Sequence, residues 1–173
     1  GGRRVAGTGS GLFVGDVAGK DGKIAAAGQF SGGGTEEIDA SGKIVTPGFV
    51  DIHTHYDGQV TWDPYLQPST VDGVTTAVTG NCGVGFAPGK PDEHDWLIGL
   101  MEGVEDIPGT ALAEGIDWRW ESFPEYMKAV EESPLALDIG LQVPHGALRA
   151  YVMGQRGADL EPANDDDIKK MSS

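Results

Sequence analysis

The sequence contains a single cysteine, Cys82, among its 173 residues. A disulfide framework within the chain is therefore excluded. A lone cysteine is typical of a reducing compartment, so we expect a cytoplasmic protein. The residue itself has three possible roles: a small buried apolar side chain, a nucleophile or a metal ligand.

Basic residues and long apolar runs are also scarce. Lys and Arg number 12 against 27 Asp and Glu, which gives a formal net charge of -15. A field of that sign repels nucleic acids and anionic membrane surfaces, so we expect neither as a partner. No apolar run approaches the roughly 20 residues that are needed to span a bilayer.

Glycine, in contrast, is abundant, with 28 residues, and it follows no G-X-Y period. The excess predicts many tight connections. Strands are predicted over 12–18 and 24–28, joined at Asp21-Gly22, because a D-G pair between apolar stretches is a strong hairpin signal. A second strand pair is expected over 37–45. Residues 1–46 are therefore predicted to be part of a small β domain.

From Pro47 onward the pattern changes to strands that alternate with helices. The predicted strands are short and apolar, and they cover 49–52, 75–79 and 136–143. The predicted helices show apolar residues at helical spacing, and they cover 95–102, 121–132 and 163–171. Such alternation is typical of parallel β-α units, and three units in about 125 residues would begin a (β/α)8 barrel. Residues 47–173 are therefore predicted to be the N-terminal part of such a barrel.

Two histidines follow the first of these strands, in VDIHTHYD. Side chains at i and i+2 of a strand lie on the same face, so His53 and His55 project together. They stand at the carboxyl end of the strand, where β/α barrels have their active sites. Two neutral imidazoles in this arrangement can bind one divalent cation. The alternative is that each imidazole bonds to backbone, but this pair is half of the four histidines in the chain.

Cys82 ends the second predicted strand, within GNCG. The carboxyl ends of parallel strands meet at one edge of a sheet, so Cys82 is expected beside the histidine pair. Its thiolate would be a good zinc ligand. Most lone cysteines are buried apolar residues instead. Nucleophilic catalysis is the less favoured alternative, since no general base lies next to Cys82 in sequence.

Two polar residues that follow the third predicted strand have two interpretations each. His145, in VPHGALR, either lines the same pocket or belongs to a turn. Arg149 either contacts a substrate carboxylate or lies on a helix surface. His94 is expected in a solvated loop, and Asp57 and Asp63 are expected to be turn or cap residues. The aromatic residues are expected to pack together: Trp96, Trp118, Trp120, Phe123 and Tyr126.

Several of these motifs together resemble a known family. IVTPGFVDIHTHYD (44–57) resembles the first barrel strand of the amidohydrolase superfamily, and the preceding β layer resembles the small β-sandwich of that superfamily. Three further stretches are similar to the D-aminoacylase (N-acyl-D-amino-acid deacylase) branch of that superfamily: GVTTAVTGNCGVGFAP (73–88), LMEGVEDIPGTALAEGIDWRWESFPEYM (100–127) and VPHGALRAYVMG (143–154).

The resemblance implies a TIM-like (β/α)8 barrel, preceded by part of a small β-sandwich domain, and a zinc site with one or two metal ions. His53 and His55 match the family's metal-binding pair. Cys82 matches a metal-binding cysteine that replaces the usual bridging carboxylated lysine. Two further histidines and a general-base aspartate would come from later strands, so the chain is expected to be an N-terminal fragment.

The activity that the resemblance implies is zinc-dependent hydrolysis of the amide bond of N-acyl-D-amino acids to a carboxylate and a D-amino acid. The longer protein would carry it out, with a small N-acyl amino acid as substrate. One alternative is a cyclic-amide hydrolase of the dihydropyrimidinase or hydantoinase type, although those enzymes normally use a lysine where this chain has Cys82. Another alternative is that the chain as given is a catalytically inert fragment.

A first prediction concerns the 173-residue chain by itself. Three barrel strands leave open edges and uncovered apolar faces, whereas a complete barrel takes roughly 250 residues. We expect the isolated chain to be poorly soluble or molten and to bind zinc weakly. Heating it while recording circular dichroism would test this, and a cooperative unfolding transition would contradict the expectation.

Overall fold

The computed structural model describes residues 2–4, 11–105 and 107–173. Tertiary contacts divide the chain into two compact units, Gly1–Gly48 and Phe49–Ser173. Within the described ranges, no helix has both the length and the apolar character that crossing a membrane requires.

The first unit contains a four-stranded sheet in the order β3-β2-β1-β4. Its strands are β1 (Gly2–Arg4), β2 (Phe13–Lys20), β3 (Lys23–Gly28) and β4 (Ile44–Val45). Strands β2 and β3 pair in antiparallel fashion. Asp21 and Gly22 between them both have positive φ, 53° and 71°, as the tight hairpin turns that match strand twist require. The predicted D-G hairpin is confirmed.

The strand pair predicted over 37–45 is only partly right. Of these residues, only Ile44 and Val45 form a strand. The carboxylate of Asp39 accepts a hydrogen bond from the backbone N–H of Ser41 at 2.8 Å. A local bond of this kind offers the backbone an alternative to pairing in a sheet, so the segment turns instead.

The second unit contains a three-stranded parallel sheet in the order β5-β6-β7. Its strands are β5 (Phe49–Asp51), β6 (Val74–Thr79) and β7 (Asp138–Leu141). Strands β5 and β7 lie inside predicted strands, and β6 begins one residue before its predicted start. Neighbouring strands follow one another in the sequence, with helices between β6 and β7 and after β7. A mixed α/β fold with a parallel sheet is therefore confirmed.

Six α-helices in the described part of the chain follow β6 or β7. They are α1 (His94–Glu105), α2 (Gly109–Gly115), α3 (Phe123–Glu131), α4 (His145–Met153), α5 (Gln155–Ala158) and α6 (Asp165–Met171). The helices α1, α3 and α6 occur where the sequence predicts them. The sequence did not predict α2, which has glycine at both ends, or α4, which starts straight after a strand in a segment typical of turns.

The start of α3 shows why the local sequence sufficed there. The hydroxyl of Ser122 accepts a hydrogen bond from the backbone N–H of Glu125 at 3.4 Å, and the Glu125 carboxylate accepts one from the Ser122 N–H at 2.9 Å. This reciprocal capping satisfies N–H groups that the first helical turn leaves free. Ser122 is therefore the N-cap of α3.

Aromatic side chains form much of the core of this unit. The indole N–H of Trp120 donates to the carbonyl of Phe86 at 2.8 Å, and the Tyr126 hydroxyl donates to the carbonyl of Asp57 at 2.8 Å. The rings of Trp120 and Tyr126 lie 4.9 Å apart. The predicted packing role is correct for these residues, whereas Trp96 is 36% exposed.

His94 does not lie in a solvated loop, so that prediction is wrong. It is the first residue of α1, and its ring stacks on Trp118 with 3.5 Å between ring centroids. Burial against this ring lowers the pKa of His94. The sequence could not reveal the stacking because the two residues meet only in the folded chain.

The buried hydrogen bond of Tyr126 gives a second prediction. Tyr126→Phe leaves the Asp57 carbonyl without this donor, so we expect the longer protein to lose about 1–2 kcal/mol of stability. Denaturant unfolding measures the loss. Tyr65→Phe is the matched control, because that side chain is 63% exposed. Equal stability of the two variants would contradict the assigned bond.

Candidate metal centre

The three residues that the sequence selects as metal ligands come together in the second unit. His53 and His55 follow β5, and Cys82 lies in a short 3-10 turn after β6. The Nε2 atom of His53 is 3.2 Å from the Cys82 Sγ atom. The possible ligand atoms of all three residues lie within 4.8 Å of one another. His53 and Cys82 are exposed and His55 is half-buried, so a small ion could reach them.

The side-chain amide of Asn81 ties the strand ends that carry these residues. Its Nδ2 donates to the carbonyl of Thr54, after β5, at 3.2 Å, and to the carbonyl of Val78, in β6, at 2.8 Å. Its Oδ1 accepts from Nε2 of Gln142, after β7, at 3.2 Å. One side chain therefore links the carboxyl ends of all three parallel strands beside Cys82.

The turn around Cys82 has a left-handed backbone. Gly80, Cys82 and Gly83 have φ values of 81°, 54° and 75°. A Cβ at Gly80 would overlap the carbonyl oxygen of Gln142, so only glycine fits there. Cys82 is not glycine, and a left-handed residue of this kind is held in place only by its surroundings. Such residues cluster at functional sites.

His55 has two different environments at its two ring nitrogens. Its Nε2 lies 3.7 Å from Oε1 of Glu105, the last residue of α1, with the two side chains 12% and 27% exposed. Its Nδ1 is buried and has no hydrogen-bond partner among the described residues. Sequence reasoning missed Glu105. The available signal was an acidic residue at the carboxyl end of a helix, where negative charge is unfavourable.

Asp57 lies in a turn, as the sequence predicts, but its side chain is buried rather than solvated. It is 2% exposed, and one carboxylate oxygen lacks a hydrogen-bond partner within the described part of the chain. Burial raises the pKa of this carboxyl from 3.8 to about 7, and the charge of Glu105 acts in the same direction. The neutral form is therefore favoured in the folded protein at acidic pH. Asp63 also takes part in a local turn, in which its Oδ1 accepts from the Tyr65 N–H at 2.9 Å.

The donor set suits a zinc ion. Imidazole and cysteine sulfur are ligand types that zinc prefers, and the possible ligand atoms of His53, His55 and Cys82 lie within 4.8 Å of one another. The unpartnered Nδ1 of His55 is a further indication, because a buried polar atom normally has a partner. The residues therefore fit a metal ion.

The two residues predicted to contact substrate, His145 and Arg149, differ in how close they lie to the candidate metal residues. His145 is exposed at the start of α4, close to the turn that holds Cys82: a Cβ on Gly83 would lie 3.6 Å from the Cβ of His145. The guanidinium of Arg149 donates to the carbonyl of Glu161. Neither residue belongs to the three-residue metal group. Substrate binding by His145 and Arg149 stays a prediction.

Known proteins are similar to this chain in sequence and fold. A sequence model of the amidohydrolase family matches residues 36–172. The chain is 36% identical over 151 residues to D-aminoacylase from Alcaligenes xylosoxydans xylosoxydans, in a match that covers 86% of this chain and 28% of that protein.

Solved structures agree. A crystal structure of D-aminoacylase superposes with a TM-score of 0.75 at 34% identity, covering 98% of this chain and 33% of the other. N-acyl-D-glutamate deacylase from Bordetella bronchiseptica, crystallised with zinc and a phosphonate that mimics the tetrahedral intermediate, superposes with a TM-score of 0.72 at 29% identity, covering 99% and 33%. The chain thus spans about a third of the length of these two relatives.

The Asn81 amide gives a third prediction. Asn81→Asp replaces an amide donor by a carboxylate oxygen that faces two carbonyl oxygens. We expect the longer protein to lose about 2 kcal/mol of stability and to bind zinc more weakly, because the strand ends separate. Thermal unfolding and zinc titration measure both effects.

The exposed residue Gln29 offers a control for that variant. Gln29→Glu makes the same change of charge in the first unit and should alter neither property. Unchanged zinc affinity in Asn81→Asp would show that the amide does not position the ligands.

Proposed function

The chain belongs to the amidohydrolase family, and from this we propose that the longer protein is a zinc-dependent deacylase of N-acyl-D-amino acids. The observation that supports it most is the meeting of a histidine pair with a cysteine, His53, His55 and Cys82, at the ends of adjacent parallel strands. D-aminoacylase and N-acyl-D-glutamate deacylase are among the proteins that the chain is similar to.

In this proposal His53, His55 and Cys82 hold one or two zinc ions. Zinc supplies Lewis acidity toward an amide carbonyl and toward water. Cys82 would act as a thiolate, since a thiol that binds zinc is deprotonated. The Asn81 bonds would keep the sulfur beside the imidazoles while substrate enters and product leaves.

The reaction would hydrolyse an amide bond. The bond between the acyl carbon and the nitrogen breaks, and water adds hydroxyl to the carbon and a proton to the nitrogen. The products are a carboxylate and a D-amino acid. We assign the proton transfer to an aspartate from a later part of the longer protein, as in the family that the sequence resembles.

The fold proposal follows the same relationship. We propose that β5, β6 and β7 are the first three strands of a (β/α)8 barrel, and that the free edge of β7 pairs with the next strand. Residues 1–46 would be part of a small β-sandwich domain and 47–173 the start of the barrel. The metal residues then stand at the carboxyl end of the barrel, where this fold has its active sites.

Substitution of the cysteine tests this function. Cys82→Ala in the longer protein should lower zinc content and reduce D-selective deacylation roughly 100-fold or more. Substitution of a residue that only hydrogen-bonds to a metal ligand already lowers metal affinity or activity about 10- to 100-fold. Metal analysis and hydrolysis of N-acetyl-D- and N-acetyl-L-amino acids provide the measurements.

Ser31→Ala, an exposed substitution in the first unit, is the control and should behave as wild type. Zinc content and activity that are unchanged in Cys82→Ala would reject the role of Cys82. Hydrolysis of dihydrouracil or hydantoin in preference to N-acyl-D-amino acids would favour a cyclic-amide hydrolase instead.

A further inference from the structure

We propose that Glu105 is a positioning residue of the metal centre and acts through His55. This inference rests on the proposed function in so far as it requires zinc at His53, His55 and Cys82. Glu105 is not itself a member of that group of ligands. Its carboxylate lies near one of these ligands, His55, and it belongs to α1, which contains none of the ligand residues.

The distance between Glu105 and His55 is the first support. Glu105 Oε1 and His55 Nε2 are 3.7 Å apart, and both side chains are largely shielded from solvent. A shielded pair attracts more strongly than an exposed one, because the effective dielectric constant is lower. A movement of less than about 1 Å would bring the two atoms to hydrogen-bond distance.

The other ring nitrogen of His55 is the second support. Nδ1 is buried and has no hydrogen-bond partner in the described ranges of the chain. A histidine that binds a metal uses one nitrogen for the ion and gives the N–H of the other to a carboxylate or carbonyl. His55 has this division: one nitrogen faces a carboxylate, and the other has no protein partner.

The position of Glu105 in its helix is the third support. It is the last residue of α1, and the last turn of that helix contains no basic residue. Negative charge is unfavourable at a helix carboxyl end, because the helix dipole is negative there. A cation next to the carboxylate offsets this repulsion. Helix stability does not account for an acid at this position, whereas a metal centre does.

Glu102, one turn earlier, shows the contrast. It is exposed, and its carboxylate lies beside Gly109, the first residue of α2. The amino end of a helix favours a negative charge. Glu102 therefore has a structural partner of its own, and it serves as the control for Glu105.

The proposed role is to fix the ring of His55. Accepting the N–H bond sets which nitrogen is left for the metal, holds the ring plane and makes the imidazole a stronger ligand. The consequence is tighter metal binding, with little effect on the folding of the metal-free protein.

The test uses the longer protein after its metal has been removed. Wild type, Glu105→Gln, Glu105→Asp and Glu102→Gln are each titrated with Co²⁺, whose charge-transfer band with the Cys82 thiolate reports binding. Zinc affinity follows from competition with a chelator. We expect Glu105→Gln to bind about 10- to 100-fold more weakly, Glu105→Asp to be intermediate and Glu102→Gln to match wild type.

Thermal unfolding of the metal-free variants separates positioning from structure. Glu105→Gln should unfold at the same temperature as wild type, with the loss confined to metal affinity. Metal affinity equal to wild type in Glu105→Gln overturns the proposal, whether or not the unfolding temperature changes. If Glu105→Gln does not fold, Glu105→Asp decides, and wild-type affinity in that variant overturns it as well.

The two proposals fail in different ways. Wild-type protein that binds neither Co²⁺ nor zinc contradicts the proposed function itself. Wild-type protein that binds metal through Cys82, together with Glu105 variants of unchanged affinity, contradicts only the role of Glu105.

Discussion

The arrangement of the candidate metal residues depends on three hydrogen bonds of one amide, that of Asn81. The amide nitrogen donates to the carbonyls of Thr54 and Val78, and the amide oxygen accepts from the side chain of Gln142. The amide therefore holds the ends of three strands at fixed spacing. The next residue along the chain is Cys82. A ligand that follows such a clamp directly has little freedom to move, which a metal site with a defined geometry requires.

The backbone around the cysteine is strained, and the surrounding packing compensates for the strain. Cys82 is left-handed between two left-handed glycines, Gly80 and Gly83. A Cβ on Gly85 would come within 2.8 Å of the buried carboxylate of Asp57, so the loops pack with no spare room. The fold thus spends stability on an unusual turn and a buried acid at the same place, a pattern that is common at functional sites.

The second unit supplies the three residues of the proposed metal centre. His53 and His55 follow the end of one strand and Cys82 the end of the next, and the bond from Tyr126 to the Asp57 carbonyl connects the aromatic core to the segment after the histidines. The proposed role of Glu105 would add a helix to this centre. The similarity to deacylases about three times as long is consistent with a centre that further strands complete.

Local patterns in the sequence determined the Asp21-Gly22 hairpin, the cap at Ser122 and the same-face projection of His53 and His55, because each depends on residues a few positions apart. Only the tertiary structure decided the stacking of His94, the burial of Asp57, the contact of Glu105 with His55 and the bonds of Asn81 to three strands. These contacts join residues that are distant in the sequence, and their energy depends on distances and burial that exist only once the chain has folded.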